Sequence, residues 1–248
     1  MSIPVAVVGA SGRLGRLVVS VVEALDGFDL VASLGSRDHV EDAGPDVFAG
    51  ARVVVDVTVP ARSPAIVEAA LASGANVLVG TSGWSADRLA HLRAVLGDRP
   101  EQGAMVVPNF SIGSVLATHL ATIAAPWFDA VEIVEAHHAA KVDSPSGTAV
   151  RTAERIAEAR RDVGPVAAPH VDQRARGQQV ASVPVHSLRL PGVRAQQDVV
   201  LSGVGETLTI RHDTTDDVAY TPGVRAALRA VPSLRGLTVG LDSVLGIA

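Results

Sequence analysis

Hydrophobic residues follow different patterns in the two halves of the chain. In the first half, short continuous apolar runs, beginning with residues 5–8, alternate with segments whose apolar residues recur every three or four positions. Continuous runs of this length indicate buried strands, and the three-to-four spacing indicates amphipathic helices. Further strands are predicted at 29–34, 51–57 and 76–79, and a helix at 63–73. The first hundred residues are therefore predicted to form a parallel α/β sheet.

The second half is predicted to be an α+β unit. A mostly apolar helix at 112–125 precedes a strand at 131–136, and a second helix runs from Ala149 to about Arg161. Alternating apolar residues then predict three strands, at 183–190, 196–202 and 206–213. Closely spaced runs of this kind are typical of a small, largely antiparallel sheet.

Two further segments complete the prediction. Residues 164–179 are rich in Pro, Gly, Gln and Arg without periodicity, and are predicted to be a long loop. A helix at 222–230 and an apolar tail at 237–247 end the chain, and the tail is expected to return to the first sheet.

Composition narrows the class of protein. The chain has 248 residues, of which 48% are hydrophobic and 3% aromatic, with a net charge of -5. A nucleic-acid binder would need a basic face and stacking aromatic residues, so no nucleic-acid partner is expected. The absence of Cys excludes thiol catalysis, disulfides and thiolate metal sites. Without a basic leader or an apolar stretch of about twenty residues, the protein is expected to be cytoplasmic, with no membrane partner.

Three glycines directly follow the first strand. In a dinucleotide-binding unit, the first glycine (here Gly9) allows the turn, the second (Gly12) lets backbone approach the pyrophosphate, and the third (Gly15) permits close helix packing. The spacing is G-x-x-G-x-x-G rather than G-x-G-x-x-G, and an ordinary tight turn is the alternative. We therefore expect NADPH or NADH to be held by Gly9, Ala10, Ser11, Gly12, Arg13 and Leu14.

The ends of the later strands supply the remaining cofactor candidates. Ser36 and Arg37 follow the second strand, where an Arg suits the 2′-phosphate of NADPH, and the neighbouring Asp38 leaves NADH open. Parallel sheets bind ligands at their carboxyl ends. The candidates at these ends are Thr58, Gly80, Thr81, Ser82, Pro108, Asn109 and Phe110.

The densest chemical signal is the run Glu-Ala-His-His-Ala-Ala-Lys-Val-Asp-Ser-Pro-Ser-Gly-Thr-Ala at 135–149. Adjacent strand residues point to opposite faces, so His137 and His138 are expected to have different roles. Lys141 adds a full positive charge. The helix start at Ser146, Gly147 and Thr148 offers backbone N–H groups to an anion. This combination suits a small anionic substrate and a proton donor.

Each part of this run also has an ordinary structural explanation. A lone histidine beside a strand is more often structural than catalytic, and Ser-Pro-Ser-Gly-Thr by itself is an N-cap. Zinc is the other alternative, but neighbouring strand residues cannot easily chelate one ion, so no metal is expected. Two histidines, a lysine, an aspartate and an anion-type helix start have no shared structural reason to lie together, which favours a functional site.

The chain resembles the bacterial dihydrodipicolinate reductase family over nearly its whole length. Residues 135–149 fit the family signature E-x-H-H-x-x-K-x-D-x-P-S-G-T-A at every defined position. Supporting matches lie at 8–15, 56–60, 80–83, 108–110 and 205–206. The chain departs from the family in having Val57 instead of Phe, Ser82 instead of a common Thr, and no acidic ribose residue directly after the second strand.

The resemblance implies a fold, a reaction and site residues. The fold would be α/β, with a Rossmann-like dinucleotide-binding domain at 1–108 plus 216–248 and an inserted α+β substrate and oligomerisation domain at 109–215. The reaction would be NAD(P)H-dependent reduction of 4-hydroxy-tetrahydrodipicolinate to tetrahydrodipicolinate, in lysine and diaminopimelate biosynthesis, by a homotetramer.

The same resemblance assigns roles within the histidine run. His137 would be the general acid, and Lys141, the second catalytic residue, would grip one substrate carboxylate together with His138. Ser146, Gly147 and Thr148 would hold the other carboxylate. Two other classes stay open: a different NAD(P)-dependent oxidoreductase of similar build, and a non-catalytic nucleotide-binding regulator.

Overall fold

The computed structural model describes residues 2–38, 40 and 44–247, which form two compact units. The first unit extends to Ser111 and resumes at Asp217, and the second comprises Ile112–Asp216. The second unit is therefore an insertion in the first, and each has its own core of buried apolar residues.

Among the described residues, strands and helices alternate along the chain in the first unit, whereas in the second unit four strands follow one another after the last helix. The strands are β1 (Ile3–Val8), β2 (Phe28–Leu34), β3 (Val53–Asp56), β4 (Asn76–Val79), β5 (Gly103–Val106), β6 (Ala130–His137), β7 (Gln178–Val180), β8 (Val183–Arg189), β9 (Ala195–Gly203), β10 (Glu206–Thr214) and β11 (Gly236–Val239). The helices are α1 (Arg13–Glu23), α2 (Ser63–Ala72), α3 (Ala86–Gly97), α4 (Ile112–Ala124), α5 (Gly147–Ala159) and α6 (Thr221–Ala230).

The first unit contains the predicted parallel sheet. Its strand order is β11-β5-β4-β3-β1-β2, and every neighbouring pair is parallel. All residues of β3, β4 and β5 are buried, which explains their continuous apolar runs. The chain passes from β1 to β2 on one side and then to β3 on the other. The carboxyl ends of β1 and β3 therefore form a topological switch point, where such sheets bind ligands.

Some elements of the first unit differ from the sequence-based prediction. Helix α3 and strand β5 were not predicted, and β3 is shorter than residues 51–57. Helix α3 buries only Leu92 and Leu96, so its apolar periodicity is weak. The returning tail does join the first sheet, but only Gly236–Val239 forms a strand, which pairs with β5.

The second unit has a five-stranded mixed sheet in the order β10-β9-β6-β8-β7. Three of its four pairings are antiparallel and β6 is parallel to β8, so the predicted largely antiparallel sheet is confirmed. Strand β6 lies at its centre and has the alternation expected of a sheet covered on one face, with Val131 and Ile133 buried. Helix α5 packs on this sheet at β8, and α4 packs at β10.

The second unit also corrects three predicted boundaries. Strand β6 extends to His137, and α5 begins at Gly147 rather than Ala149. The predicted loop at 164–179 ends in strand β7, which forms an antiparallel pair with β8. Among the described residues, no helix combines the length and apolar character needed to cross a membrane.

Candidate active site

The turn after β1 leaves no room for a side chain at its first and third glycines, Gly9 and Gly15. Gly9 has φ +89°, and a Cβ atom there would lie 2.5 Å from the carbonyl oxygen of Val57, just after β3. A Cβ at Gly15 would lie 2.0 Å from the carbonyl oxygen of Gly9. Gly12 is the N-cap of α1 and makes no side-chain cap hydrogen bond. The close backbone approach and the helix start at the switch point fit a dinucleotide pyrophosphate.

The end of β2 is hydrogen-bonded to this turn. The carbonyl oxygen of Leu34 accepts hydrogen bonds from the N–H of Gly9 at 2.8 Å and of Ala10 at 3.0 Å. The loop that carries Ser36 and Arg37 therefore starts beside the glycine turn, and both residues are exposed. Asp38 closes this loop by accepting the Gly35 N–H at 2.6 Å.

The predicted residues Thr58 and Thr81 are hydrogen-bonded to each other at the ends of β3 and β4, beside a buried carboxylate. Asp56, fully buried at the end of β3, accepts the Thr58 hydroxyl at 2.5 Å and also the hydroxyl of Ser63. The Thr58 N–H donates to the Thr81 hydroxyl at 2.8 Å. The indole N–H of Trp84 donates to Ser63 at 3.0 Å. One buried acid thus organises two strand ends.

The end of β5 packs against the end of β4. A Cβ atom at Gly80 would lie 2.6 Å from the ring of Phe110 and 3.0 Å from the side chain of Val57, so this ring needs glycine beneath it. Asn109 holds the same segment by accepting the Ser111 N–H at 2.8 Å. Of the other predicted residues here, Ser82 and Pro108 are exposed.

In the second unit, His137 shares one face of β6 with Glu135. The Nδ1 atom of His137 lies 2.5 Å from Oε2 of Glu135, whose side chain has no exposed surface. Burial by itself raises the pKa of Glu135, but hydrogen bonds from His137 and Arg189 outweigh it and lower that pKa to about 2. Glu135 is therefore a carboxylate at neutral pH and can only accept hydrogen bonds.

Arg189 is the counter-charge of Glu135. It ends β8 beside His137 in the sheet, and its Nη1 and Nη2 atoms each lie 3.0 Å from a different oxygen of the carboxylate. The same guanidinium donates to the carbonyl oxygen of Lys141 at 3.3 Å and to that of Asp143 at 2.5 Å. A bidentate Arg–carboxylate pair is both strong and directional, so it fixes the positions of the ends of β6 and β8.

The predicted anion-binding groups lie in the segment that follows β6. The ammonium group of Lys141 forms an ion pair with Asp143 at 2.7 Å, and the backbone N–H of Lys141 donates to the carbonyl oxygen of His138. Ser146 is the N-cap of α5: its hydroxyl accepts the Ala149 N–H at 3.2 Å. The N–H of Ser146 itself donates to Glu135 at 3.1 Å, so this residue is largely occupied within the protein.

The first residues of α5 are the more accessible part of the helix start. Gly147 is exposed, and a Cβ atom built there would meet no heavy atom within 4 Å. Thr148 follows it and is partly buried. Glu135 and Arg189 thus link His137, the backbone at Lys141 and the start of α5.

Three residues of these sites were not assigned a role from the sequence. Glu135 and Asp56 were seen only as parts of motifs, although a charged residue within an otherwise apolar strand is a signal that could have marked both. Arg189 lies more than fifty positions from Glu135, and only the register of β6 with β8 brings them together.

A parallel sheet of this order, with a glycine turn at its switch point, is the dinucleotide-binding domain of Rossmann-type oxidoreductases, and this chain has that class of fold. Two family models cover nearly all of it. "Dihydrodipicolinate reductase, N-terminus" matches residues 3–110, and "Dihydrodipicolinate reductase, C-terminus" matches residues 113–245. The chain belongs to the dihydrodipicolinate reductase family.

Individual relatives agree with this placement. A protein of Clavibacter michiganensis subsp. michiganensis named 4-hydroxy-tetrahydrodipicolinate reductase is 56% identical over 247 residues, which are 100% of this chain and 87% of that protein. One of the same name from Streptomyces avermitilis is 45% identical, covering 98% of both chains. A dipicolinate-bound dihydrodipicolinate reductase from Paenisporosarcina sp. TG-14 superposes with a TM-score of 0.80 at 30% identity, covering 98% of this chain and 99% of that one.

The low pKa of Glu135 makes a prediction about stability. Because its folded-state pKa of about 2 lies below the ordinary value of 4.5, ionised Glu135 stabilises the fold above pH 4.5, and this contribution is lost as pH falls towards 2. The Glu135→Gln variant lacks it at every pH. The difference in free energy of unfolding between wild type and variant should therefore shrink by up to about 3 kcal/mol from pH 6 to pH 2. Urea unfolding over this range measures it, and a difference independent of pH would contradict the assignment.

Proposed function

We propose that this protein reduces 4-hydroxy-tetrahydrodipicolinate to tetrahydrodipicolinate with NADPH or NADH, a step of lysine and diaminopimelate biosynthesis in the cytoplasm. The observation that carries the proposal is the run from the end of β6 to the start of α5, in which a candidate proton donor and candidate anion-binding groups follow one another in the family's signature order. The names of the relatives and the dipicolinate in the similar structure support the same substrate class.

We propose a division of work between the two parts of the chain. Residues 1–108 plus 216–248 bind the dinucleotide, and residues 109–215 bind the substrate. In the first part, the glycine turn holds the pyrophosphate, and the residues at the ends of β3, β4 and β5 hold the nicotinamide half. The cofactor supplies hydride. The protein's own groups bind the substrate carboxylates and supply the proton that the reduced ring requires.

Within the second part, His137 is the general acid. Lys141 and His138 bind one carboxylate of the substrate, and the start of α5, at Ser146, Gly147 and Thr148, binds the other. Two observations support this: Gly147 is open to approach, and the Lys141 ammonium group pairs with the side chain of an exposed aspartate, Asp143. A cation and helix-start N–H groups are well suited to a dicarboxylate.

The His137→Gln variant tests the reaction. It should retain its fold and its binding of pyridine-2,6-dicarboxylate, but its kcat should fall roughly 10²- to 10⁴-fold, the usual contribution of a positioned general acid. Oxidation of NADPH in the presence of fresh dihydrodipicolinate synthase product measures turnover. His91→Gln is a matched control, because His91 is an exposed residue of α3 that pairs with the exposed Glu68. Near-normal turnover of His137→Gln would remove His137 from the role.

We also propose that NADPH is modestly preferred over NADH. Arg37 is exposed at the end of β2, where the 2′-phosphate would lie, and Asp38 directs its carboxylate to the Gly35 N–H within the loop. An ion pair at an exposed position contributes only about 1 kcal/mol, so the preference should be roughly ten-fold or less.

The Arg37→Ala variant tests this preference. It should remove the preference for NADPH without changing turnover with NADH, measured as kcat/KM for the two cofactors side by side. Arg52→Ala is a matched control, because it removes the same charge at the amino end of β3, away from the ligand-binding edge. A hundred-fold preference for either cofactor in the wild type would show that the ribose pocket lies elsewhere.

We propose a homotetramer assembled through the second sheet. The sheet face that includes Glu132 and Val134 carries apolar and polar residues that are only partly buried, and Leu188 on β8 is 44% exposed. Exposed apolar residues on neighbouring strands mark an interaction surface, and a second copy of the same chain is the simplest partner.

Sedimentation tests this assembly. The wild type should sediment as four chains at micromolar concentration, and Leu188→Lys should dissociate it, because a charge would be placed within an apolar interface. Val31→Lys is the control, since Val31 is similarly exposed, at 39%, but lies on β2 in the first unit. A stable wild-type monomer would contradict the proposal.

A further inference from the structure

Glu135 is a buried carboxylate with donors on both oxygens. Oε2 lies 2.5 Å from Nδ1 of His137 and 3.0 Å from Nη1 of Arg189. Oε1 accepts from Nη2 of Arg189 at 3.0 Å and from the Ser146 N–H at 3.1 Å. One side chain without exposed surface therefore contacts the proposed general acid and the start of the anion-binding helix.

The chemistry of this contact determines which nitrogen of His137 carries the proton. A carboxylate has no hydrogen to donate, so the 2.5 Å contact requires Nδ1 of His137 to be the donor. In the neutral ring Nε2 then lacks a hydrogen, and when the ring is protonated Nε2 carries the second, transferable proton. The positive charge of Arg189 keeps Glu135 ionised, because it compensates the negative charge of the buried carboxylate.

We propose that Glu135, paired with Arg189, is a positioning residue that holds His137 as the Nδ1–H tautomer and directs its Nε2 atom to the substrate. The inference rests on the proposed role of His137 as the proton donor and adds the groups that make it one. Glu135 itself does not touch the substrate. It acts through His137, and its other oxygen, Oε1, accepts a hydrogen bond from the Ser146 N–H at the start of α5.

Strand β6 supplies a matched control. Glu132 lies on the opposite face of the same strand and has the same types of partner, His186 at 2.7 Å and Arg176. Glu132→Gln and Glu135→Gln therefore make the same chemical change at a carboxylate paired with a histidine and an arginine, on the partly exposed face and on the buried face of β6 respectively. Only the second affects His137.

The kinetic test compares these two variants. In Glu135→Gln, kcat should fall roughly 10²- to 10⁴-fold, the range found for a general acid that is lost or held in the wrong tautomer, while the dissociation constant of NADPH is unchanged. Glu132→Gln should keep kcat within about two-fold, as expected for a group remote from the reacting atoms. If Glu135→Gln also keeps kcat within two-fold, the proposal is overturned.

A double substitution separates positioning from general structural damage. If Glu135 acts through His137, adding Glu135→Gln to His137→Gln should lower kcat by no more than about two-fold, because interacting groups are strongly non-additive. If Glu135 instead supports the site independently, the double variant should lose activity by the product of the two single effects, and that result would contradict the proposal.

The ring nitrogens of His137 give a readout that needs neither turnover nor a Glu135 variant. In ¹⁵N spectra of wild-type protein with labelled histidines, taken where the ring is neutral, the His137 signals should show a protonated Nδ1 and a bare Nε2. The signals are identified by their loss in His137→Gln. A neutral ring protonated at Nε2 would overturn the proposal even if the reaction is as proposed. The expected tautomer without turnover of the substrate would instead count against the proposed function alone.

Discussion

The second unit depends on one electrostatic constraint: Glu135 is charged and has no exposed surface. Burying a lone carboxylate is costly, so it must be paired and hydrogen-bonded. Arg189 supplies the charge and Ser146 and His137 supply further donors, each from a different part of the chain. Because all these partners must converge on one carboxylate, the end of β6, the end of β8 and the start of α5 are held in fixed positions.

In the first unit the glycine turn is positioned by close backbone contact rather than by a buried ion pair. At the switch point the glycine turn approaches the residue after β3 so closely that a single Cβ atom at Gly9 would overlap a carbonyl oxygen. The polar contacts there include the hydrogen bonds that the Leu34 carbonyl oxygen accepts from the turn and those that converge on Asp56. This arrangement leaves backbone and hydroxyl groups, rather than a strong fixed charge, to meet a dinucleotide. Charge recognition is then left to exposed cations, Arg13 in the turn and Arg37 in the loop after β2.

Sequence reasoning succeeded where the determining contacts are local. The glycine turn, the apolar runs of the buried strands and the histidine segment each lie within about fifteen consecutive residues, so their spacing could be recognised directly. It failed for α3 and β5, because a helix that buries only two leucines and a strand of four residues produce weak periodic signals. It also failed for Arg189, since pairing between distant strands depends on register, which no local pattern reveals.

The two cations near His137 differ in how firmly they are held, and this difference bears on substrate binding. Arg189 is committed to a buried carboxylate and three backbone carbonyl oxygens, so it cannot turn to a ligand without leaving Glu135 unpaired. Lys141 faces Asp143, whose side chain is 58% exposed. An ion pair with an exposed partner contributes little, at most about 1 kcal/mol, so exchanging Asp143 for a substrate carboxylate is inexpensive. Under the proposed role of Lys141, a protein with a net charge of -5 can bind a dianion, because one cation builds the site and the other stays exchangeable.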